Sequence, residues 1–416
     1  MILYEIVVTL LFIIALPIYA VIRAIQKKYM YGWREKTLFL KAPDMKEKRI
    51  MFHGVSVGEV IALENLIRRT KDEFPDYSII VTTGTKTGQD IAQKKFADVA
   101  DFITYFPYDV PMFVRHFLSE IRPTLVFIAE TELWPAFSYY CKKRGIPLFV
   151  INGRISDSTY KTYLNFKFFF KRMLTNYAGI FTQSAEDNEK MLSLGANPDT
   201  TEVMGNLKFD VKPKVCDIEI GQNAGRVIIA GSTHTGEDEI ILDAFCKIKL
   251  EVPDAKLLLA PRHPQRVPQV AELVEKTGMT YGFRSKNDTF TDKEIILLDT
   301  LGELGKAYAL CHFAFIGGSF NTTGGHNPLE ASVYNKPVIS GPDTHNFKDI
   351  YGLLTKTNAG KIVKNGAELT EYMTKLLTDE EFYKSACSDC AKVFESQKGA
   401  LEFVIGKIKT TSLAHK

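Results

Sequence analysis

Residues 49–59 read RIMFHGVSVGE, a mostly apolar run that leads into two glycines and an acid. Arg49–His53 has the short, nearly continuous apolar character of a parallel strand that is covered on both faces. Gly54 and Gly58 permit the tight turn by which such a strand enters a helix. The stretch predicts the opening strand–turn–helix step of a βαβ series, and therefore a doubly wound α/β sheet.

The same alternation of short apolar runs and longer amphipathic segments continues along the chain in two series. The predicted strands of the first half are Arg49–His53, Ser78–Thr83, Phe102–Phe106, Leu125–Ala129, Leu148–Asn152, Gly179–Gln183 and Glu202–Met204. Those of the second half are Val227–Ala230, Lys256–Ala260, Ile295–Leu298, Phe313–Ile316 and Val338–Ser340, with final helices from about Thr378 to Lys409. Two such series predict two Rossmann-like domains that face each other across a cleft.

Length and composition agree with this architecture. The 416 residues suffice for two domains, and a content of 45% hydrophobic and 24% charged residues excludes a disordered or collagen-like chain. The net charge of 52 − 49 = +3 is too small to indicate a nucleic-acid partner. Lys208–Gln222 lacks a clear period and contains proline, as linkers do. The expected division is a membrane anchor at 1–28, a first domain at 29–210, a linker at 211–222 and a second domain at 223–416.

The first apolar stretch, Ile6–Ile22, reads IVVTLLFIIALPIYAVI and contains no charge. Its length is at the lower limit for spanning a bilayer, and neither a basic start nor a cleavage site indicates a signal peptide. Basic residues from Arg23 to Lys41 follow it, so the positive-inside rule places the rest of the chain in the cytoplasm. We expect a membrane anchor here; a buried helix of a soluble domain is the alternative.

A second stretch, residues 161–172, interleaves aromatic and basic side chains as KTYLNFKFFFKR. This mixture suits a membrane interface, where rings lie at headgroup depth and lysine reaches towards water. Ordinary packing of a helix against the core explains the same pattern equally well.

The acid at the end of the opening stretch has two interpretations. Ser56 and Glu59 are three residues apart, the spacing of a capping box at a helix start. Alternatively, Glu59 points from the carboxyl end of a strand into the cleft and acts as a general base. The spacing favours neither.

Polar motifs also follow other strands of the first half. Glu130 and Glu132, in ETELWP, come directly after a buried run, where isolated carboxylates are avoided unless they are paired or functional. Thr82–Gly88, TTGTKTG, has hydroxyl and amide groups suited to polar or anionic ligands, but it lacks the GK[ST] of a Walker loop.

In the second half, four consecutive strands lead into polar or glycine-rich motifs. These are GSTHTGE at 231–237, PRHP at 261–264, DTLGEL at 299–304 and IGGSFNTTGGHNPLE at 316–330. In the last motif Asn327 suits a helix cap and Pro328 the first helical position, while Glu330 can accept hydrogen bonds from sugar hydroxyls. Together they indicate a nucleotide-type donor site. The eight histidines show no metal-ligand spacing, so no metal is expected.

These motifs, in this order, resemble those of the Kdo transferases of Gram-negative bacteria (3-deoxy-D-manno-octulosonic acid transferases, glycosyltransferase family 30). The resemblance runs from the anchor to about residue 400. It is carried by HGVSVGE, ETELWP, NGRIS at 152–156, GNLKFD at 205–210, GSTHTGE, PRHP, GGHNPLEAS at 324–332 and GPDTHNFKD at 341–349. It implies a two-domain GT-B fold, CMP-Kdo as donor, lipid IVA as acceptor, and neither metal nor cofactor at the transfer site.

The resemblance also implies roles for single residues. Glu59 is similar to the general base of the family, and Glu130 and Lys208 match positions thought to help stabilise the transition state. The implied CMP contacts are Arg262, His263, Gly302, Glu303, Leu304, Asn327, Pro328, Leu329 and Glu330. The first domain would bind the acceptor and the second the CMP-sugar.

The expected protein is therefore an inverting Kdo transferase of lipopolysaccharide core biosynthesis. It would be held at the cell inner membrane by its anchor, with the catalytic domains on the cytoplasmic side. The alternative is another membrane-associated GT-B glycosyltransferase, or an epimerase, that uses a UDP-sugar. Binding of CMP against UDP would separate the two.

Overall fold

The computed structural model describes residues 8–10, 12, 31–221 and 225–414. The chain forms two compact units. The first contains the described residues up to Asp210 together with those from Gln397 onward, and the second is Val211–Ser396. Each unit is built on a seven-stranded parallel sheet. Because parallel strands need crossover connections, helices cover both faces and the strands are apolar throughout.

The sheet of the first unit contains the predicted opening strand near its centre. Its strands are β1 (Arg49–Gly54), β2 (Ser78–Thr83), β3 (Phe102–Tyr105), β4 (Leu125–Ala129), β5 (Leu148–Gly153), β6 (Gly179–Thr182) and β7 (Thr201–Val203). Their order across the sheet is β3-β2-β1-β4-β5-β6-β7. The order reverses between β1 and β4, so the carboxyl ends of these two strands mark the position where such sheets bind ligands.

The helices of the first unit begin with polar caps in several cases. They are α1 (Trp33–Lys36), α2 (Val57–Ala62), α3 (Glu64–Glu73), α4 (Lys86–Phe96), α5 (Pro111–Ile121), α6 (Pro135–Lys143), α7 (Asp157–Asn165), α8 (Lys167–Leu174) and α9 (Ala185–Leu194), with 3-10 turns at Pro198–Thr200 and Leu207–Phe209. Ser56, Thr85, Ser156 and Ser184 each accept a hydrogen bond from a backbone N–H of the first turn. These bonds satisfy donors that have no partner within the helix.

The second unit repeats this plan. Its strands are β8 (Arg226–Thr233), β9 (Ala255–Pro261), β10 (Tyr281–Phe283), β11 (Ile295–Leu297), β12 (Phe313–Ile316), β13 (Val338–Ser340) and β14 (Gly360–Ile362). Their order is β10-β11-β9-β8-β12-β13-β14, which reverses between β8 and β12. The helices are α10 (Glu237–Glu251), α11 (Val267–Glu275), α12 (Leu304–Ala307), α13 (Leu329–Ser332), α14 (Lys348–Leu354), α15 (Gly366–Thr378) and α16 (Glu380–Gln397), with 3-10 turns at Pro264–Arg266, Arg284–Lys286, Tyr308–Leu310 and His345–Phe347.

The last described helix, α17 (Ala400–Ala414), packs in the first unit. Val404, Ile405 and Ile408 are buried in the same apolar cluster as residues of β1 and β2. The carboxylate of Asp210 accepts hydrogen bonds from the backbone at the start of this helix. The sequence predicts that residues 223–416 all belong to the second domain, whereas α17 packs in the first unit. An amphipathic pattern indicates that a helix has an apolar face, but not which sheet covers it.

The predicted linker at 211–222 contains no helix or strand in its described part, residues 211–221. Several of its residues contact the second unit. Lys214 N donates to Tyr334 Oη at 2.9 Å, and Lys306 Nζ lies 3.0 Å from Asp217 Oδ1. These contacts hold residues 211–221 against the rest of the second unit.

Most of the predicted membrane anchor lies outside the described residues. Of Ile6–Ile22, only Val8–Leu10 and Phe12 are described, and the ring centroid of Phe12 lies 5.2 Å from that of Phe113. Within the part of the chain that the structure describes, no helix has both the length and the apolar character needed to cross a bilayer. The anchor stays a prediction.

Candidate active site

Glu59 lies in the first turn of α2, directly after β1, and is 7% exposed. The capping box is present: Ser56 Oγ accepts from Glu59 N at 3.5 Å, while the carboxylate accepts from Ser56 N at 3.3 Å and Ser56 Oγ at 2.6 Å through Oε1. Among the described residues, Oε2 accepts only from Val55 N, at 2.7 Å. The capping interpretation is confirmed, and Oε2 keeps a lone pair for another partner.

The turn that carries Glu59 is fixed by close backbone contacts. A methyl group at Gly54 would lie 3.2 Å from Glu59 Cβ and 3.3 Å from Leu63 Cδ1, so a larger residue would press on the turn that positions Glu59. Thr85, from the TTGTKTG motif, donates from Oγ1 to Val55 O at 3.0 Å. In the structure this motif supports the turn, a role that the sequence analysis did not give it.

Three carboxylates, Glu59, Glu130 and Glu132, lie near enough to one another at the carboxyl ends of β1 and β4 for their charges to interact. Burial raises the pKa of Glu132 to about 7, and the charges of Glu59 and Glu130 add to this effect. Burial also raises the pKa of Glu59; the hydrogen bond from Ser56 opposes this shift and the charge of Glu130 reinforces it. Lys208 Nζ lies 3.5 Å from Glu130 Oε1. The structure thus brings together the three residues expected to be catalytic, Glu59, Glu130 and Lys208.

Glu132 was not among the expected site residues. Glu132 lies near Glu59 because β4, which Glu132 follows, pairs with β1 in the sheet. The available signal was the second acid of ETELWP, directly after a buried strand. A carboxyl group with a pKa near 7 exchanges protons readily at neutral pH, so this end of the sheet is suited to moving a proton.

His53, the first residue of HGVSVGE, has a structural role. It is completely buried, its Nδ1 lies 3.0 Å from Thr82 Oγ1, and its ring stacks on Phe106 with a centroid distance of 4.0 Å. Burial lowers its pKa to about 3, so the imidazole is neutral at physiological pH.

The donor motifs of the second unit line a cavity of about 340 Å³. Five of the expected CMP contacts line it: Arg262, Gly302, Leu304, Asn327 and Glu330. Lys214 and His326 also line it, and Lys214 with Arg262 supplies positive charge. Desolvation raises the pKa of Glu330, and these two cations oppose the shift. The cavity offers donors and cations for an anionic ligand.

The other four expected CMP contacts are not in the cavity lining. His263 is exposed, whereas Pro328 and Leu329 are buried. Glu303 pairs with Arg284 at 3.3 Å and accepts from a neighbouring threonine. Asn327 Oδ1 accepts from Leu329 N at 3.1 Å, but the helix begins at Leu329, so the N-cap is Pro328 and not Asn327 as predicted. Because α13 has only four residues, its dipole adds little to anion binding.

A buried glutamate fastens the glycine-rich loop after β12. Glu237 is 1% exposed, and its carboxylate accepts from the backbone N–H groups of His234 (2.9 Å), Gly318 (2.7 Å), Ser319 (2.8 Å) and Phe320 (2.9 Å). One side chain thereby joins the loops after β8 and β12 at the reversal of the sheet. The GSTHTGE motif alone does not predict this role of Glu237, since the four donors lie on two distant segments.

A histidine pair lies beside this loop. His234 Nε2 and His326 Nε2 are 2.9 Å apart, so one ring donates and the other accepts. Burial lowers the pKa of His326 to about 4, and burial also lowers the pKa of His234. The pair is therefore neutral at physiological pH. Among the described residues, no group of three or more His, Cys, Asp or Glu side chains is arranged to hold a metal ion.

The chain is similar in sequence to known transferases. Residues 31–211 match the family model described as 3-Deoxy-D-manno-octulosonic-acid transferase (kdotransferase). The 3-deoxy-D-manno-octulosonic acid transferase of Haemophilus influenzae is 32% identical, with 86% of each chain covered. A bifunctional glycosyltransferase/methyltransferase of Fusobacterium nucleatum is 37% identical over 92% of this chain, which spans only 60% of that relative.

Among solved structures, the UDP-GlcNAc 2-epimerase of Neisseria meningitidis bound to UDP-GlcNAc is similar in fold. The TM-score is 0.56 at 15% identity, and the match covers 87% of this chain and 100% of the epimerase. At this identity the likeness concerns the fold alone.

Proposed function

Because the chain belongs to the family of 3-deoxy-D-manno-octulosonic acid (Kdo) transferases, we propose that it transfers Kdo from CMP-Kdo to lipid IVA in lipopolysaccharide core biosynthesis. One observation carries the proposal: Glu59, Glu130 and Lys208, the residues that the family motifs indicate, meet at the carboxyl ends of β1 and β4.

In this proposal the donor binds in the cavity of the second unit. CMP-Kdo is an anion, and Lys214 and Arg262 on the cavity wall offset the charge of its phosphate. Glu330 accepts hydrogen bonds from hydroxyl groups of the ligand. A methyl group at Gly302 would meet no atom within 4 Å, so the wall is open at that point. These features support an anionic nucleotide-sugar as ligand.

Glu59 serves as the general base. Its free lone pair on Oε2 takes the proton of an acceptor hydroxyl as that oxygen forms a bond to the anomeric carbon of Kdo. The bond from the anomeric carbon to the phosphate oxygen breaks, and CMP leaves with the bonding electrons. The charge of Glu130 strengthens the base by raising its proton affinity, and Lys208 moderates the negative charge of the site. A single displacement of this kind inverts the anomeric centre.

The location of the protein is part of the proposal. The uncharged run Ile6–Ile22 would anchor the chain in the inner membrane, and the basic residues after it would keep both units on the cytoplasmic side. A lipid acceptor would then be available from the same membrane.

The experiment is incubation of the purified full chain with CMP-Kdo and lipid IVA, followed by mass spectrometry of the lipid. We expect products heavier by one or more Kdo residues, and their masses count the transfers. Parallel titrations compare CMP with UDP. Tighter binding of UDP, with no Kdo transfer, would contradict the proposal and favour a UDP-sugar enzyme.

A further inference from the structure

The histidine pair of the second unit, His234 and His326, is held at the donor cavity by the backbone of two loops. His326 lines the cavity, and the two rings stack with their centroids 5.2 Å apart. The carboxylate of Glu237 accepts from His234 N at 2.9 Å and from Gly318 N at 2.7 Å. His326 N donates to Gly317 O at 3.1 Å. The loops after β8 and β12 therefore fix both rings, and with them the 2.9 Å contact between the two Nε2 atoms.

The shared bond leaves each imidazole with one further ring nitrogen. In the neutral pair a single proton lies between the two Nε2 atoms, since one nitrogen donates and the other accepts. In the part of the chain that the structure describes, no hydrogen bond reaches Nδ1 of either ring. The ring that donates through Nε2 can therefore take up a second proton at Nδ1. The pair then carries one positive charge over two rings.

The surroundings of the pair are rich in positive charge. The charged and titratable groups that face the pair or share its cavity are Glu237, Arg262, His263, Arg266, Lys214 and Glu330. Burial is the main cause that lowers the pKa of both histidines, and the nearby cations add to it, while Glu237 opposes it. An anion in the cavity supplies the opposite charge and favours the protonated pair.

We propose that His234 and His326 hold the phosphate of the nucleotide as a pair that shares one positive charge, and that the pair takes this proton from solvent as the nucleotide binds. A hydrogen bond from an imidazolium to a phosphate oxygen is stronger than one from a neutral ring. The proposal makes nucleotide binding depend on pH, which permanent cations such as Arg262 do not. It rests on the proposed function only in naming a cytidine nucleotide as the ligand.

The shared charge also acts in the transfer step. When the bond between the anomeric carbon and the phosphate oxygen breaks, the electron pair stays on that oxygen and the phosphate gains a second negative charge. The proton remains on the histidine pair, whose positive charge then faces a dianion in place of a monoanion. The pair therefore stabilises the leaving phosphate more than the bound donor. It returns its proton to solvent when CMP departs.

Calorimetric titration of the full chain with CMP tests the proposal. The titration is repeated at about pH 7 in buffers of different ionisation enthalpy, because the dependence of the heat on the buffer counts the protons taken up. We expect roughly half a proton or more per CMP bound. Cytidine, which has no phosphate, should bind without uptake. The dissociation constant of CMP should rise with pH, by up to about tenfold per pH unit.

Single substitutions assign the proton to its group. His326→Gln and His234→Gln should each remove the uptake and weaken CMP binding by about tenfold at about pH 7, since glutamine can donate a hydrogen bond but carries no charge. Cytidine binding should change little in both variants, and either one suffices if the other does not fold. His116→Gln, in the first unit, is the matched control and should keep the full uptake.

Glu330 is the competing proton acceptor, since it lines the same cavity and burial raises its pKa. Glu330→Gln should therefore keep the uptake. Uptake that disappears in E330Q, that persists in both H234Q and H326Q, or that is equal for CMP and cytidine would overturn the proposal. Kdo transfer to lipid IVA reports separately on the proposed function. If UDP binds in place of CMP, that function fails and the protons are counted with UDP; if neither nucleotide binds, both proposals fail.

Discussion

Glu59 and Glu237 occupy equivalent places in the two units and differ in what surrounds them. Each follows the strand at the sheet reversal, each starts a helix, and each accepts a hydrogen bond from the backbone of its own turn. Glu237 accepts three more from the loop after the neighbouring strand, whereas Glu59 has Glu130 and Glu132 there. Glu237 accepts four backbone hydrogen bonds, whereas Glu59 accepts two, together with one from the Ser56 hydroxyl, and also has two carboxylates nearby.

The difference separates a structural acid from a reactive one. A carboxylate that accepts several backbone hydrogen bonds holds its loop in place, because those donors would otherwise lack partners. A carboxylate that is buried near other carboxylates has its pKa raised, so its proton moves more easily near neutral pH. The same strand–turn–helix element thus serves to fix a loop in one unit and to handle a proton in the other.

The largest expected effect belongs to Glu59. Glu59→Gln should lower kcat by about 10²–10⁴-fold, because loss of a general base has this effect, and should leave CMP affinity unchanged. Steady-state transfer and CMP titration measure the two quantities. Glu47→Gln, at an exposed position, is the matched control. A kcat within a few-fold of the parent value would show that Glu59 is not the general base and that, like Glu237, it has only a structural role.

Glu237→Gln should act on the donor site instead. One carboxylate oxygen becomes an NH2 group facing backbone N–H donors, at a cost of about 2–3 kcal/mol. We expect faster amide exchange at Gly318–Phe320 and CMP binding weaker by at least about tenfold, with kcat at saturating donor little changed. Glu239→Gln, exposed on the same helix, is the control. Unchanged amide exchange at Gly318–Phe320 would show that Glu237 does not hold this loop in place.

Glu132→Gln should affect stability in a pH-dependent way. Its pKa is about 7 in the folded chain against 4.5 ordinarily, so the folded state binds more protons between these values and stability falls as pH rises. The substitution should raise the free energy of unfolding by about 1–3 kcal/mol at about pH 8 and change little at about pH 4.

Denaturant unfolding followed by tryptophan fluorescence measures this effect, since Trp33 and Trp134 are the two tryptophans and both lie in the first unit. Glu47→Gln again serves as control. A difference of the same size at both pH values would show that the effect is packing and not charge.

The sequence was sufficient for most of the fold. Apolar runs such as Ser78–Thr83 and Leu125–Ala129 have the predicted bounds, because strands covered on both faces are apolar throughout. Tyr281–Phe283 and Gly360–Ile362 were missed, since edge strands of three residues carry too short a pattern. The return of α17 to the first unit was missed because periodicity does not identify the partner of a helix.

For the candidate site, the sequence predicted which residues directly follow the carboxyl end of a strand, but not which of these strands are neighbours. Glu59 follows β1 of the first sheet, and Arg262 and Asn327 follow β9 and β12 of the second sheet. Within each parallel sheet the carboxyl ends of the strands lie at one edge, which the βαβ pattern implies. The raised pKa of Glu132 and the four donors of Glu237 depend on which strands are neighbours and on loop conformation. Those properties arise from packing between distant segments, and spacing within one segment does not contain them.

The position of α17 has a consequence for biosynthesis. Val404, Ile405 and Ile408 belong to the apolar cluster of β1, yet they leave the ribosome only after all of Val211–Ser396. The unit translated first is therefore the one completed last, against the usual N-to-C order of domain maturation. During that interval the apolar residues of the first unit that pack with Val404, Ile405 and Ile408 lack these partners.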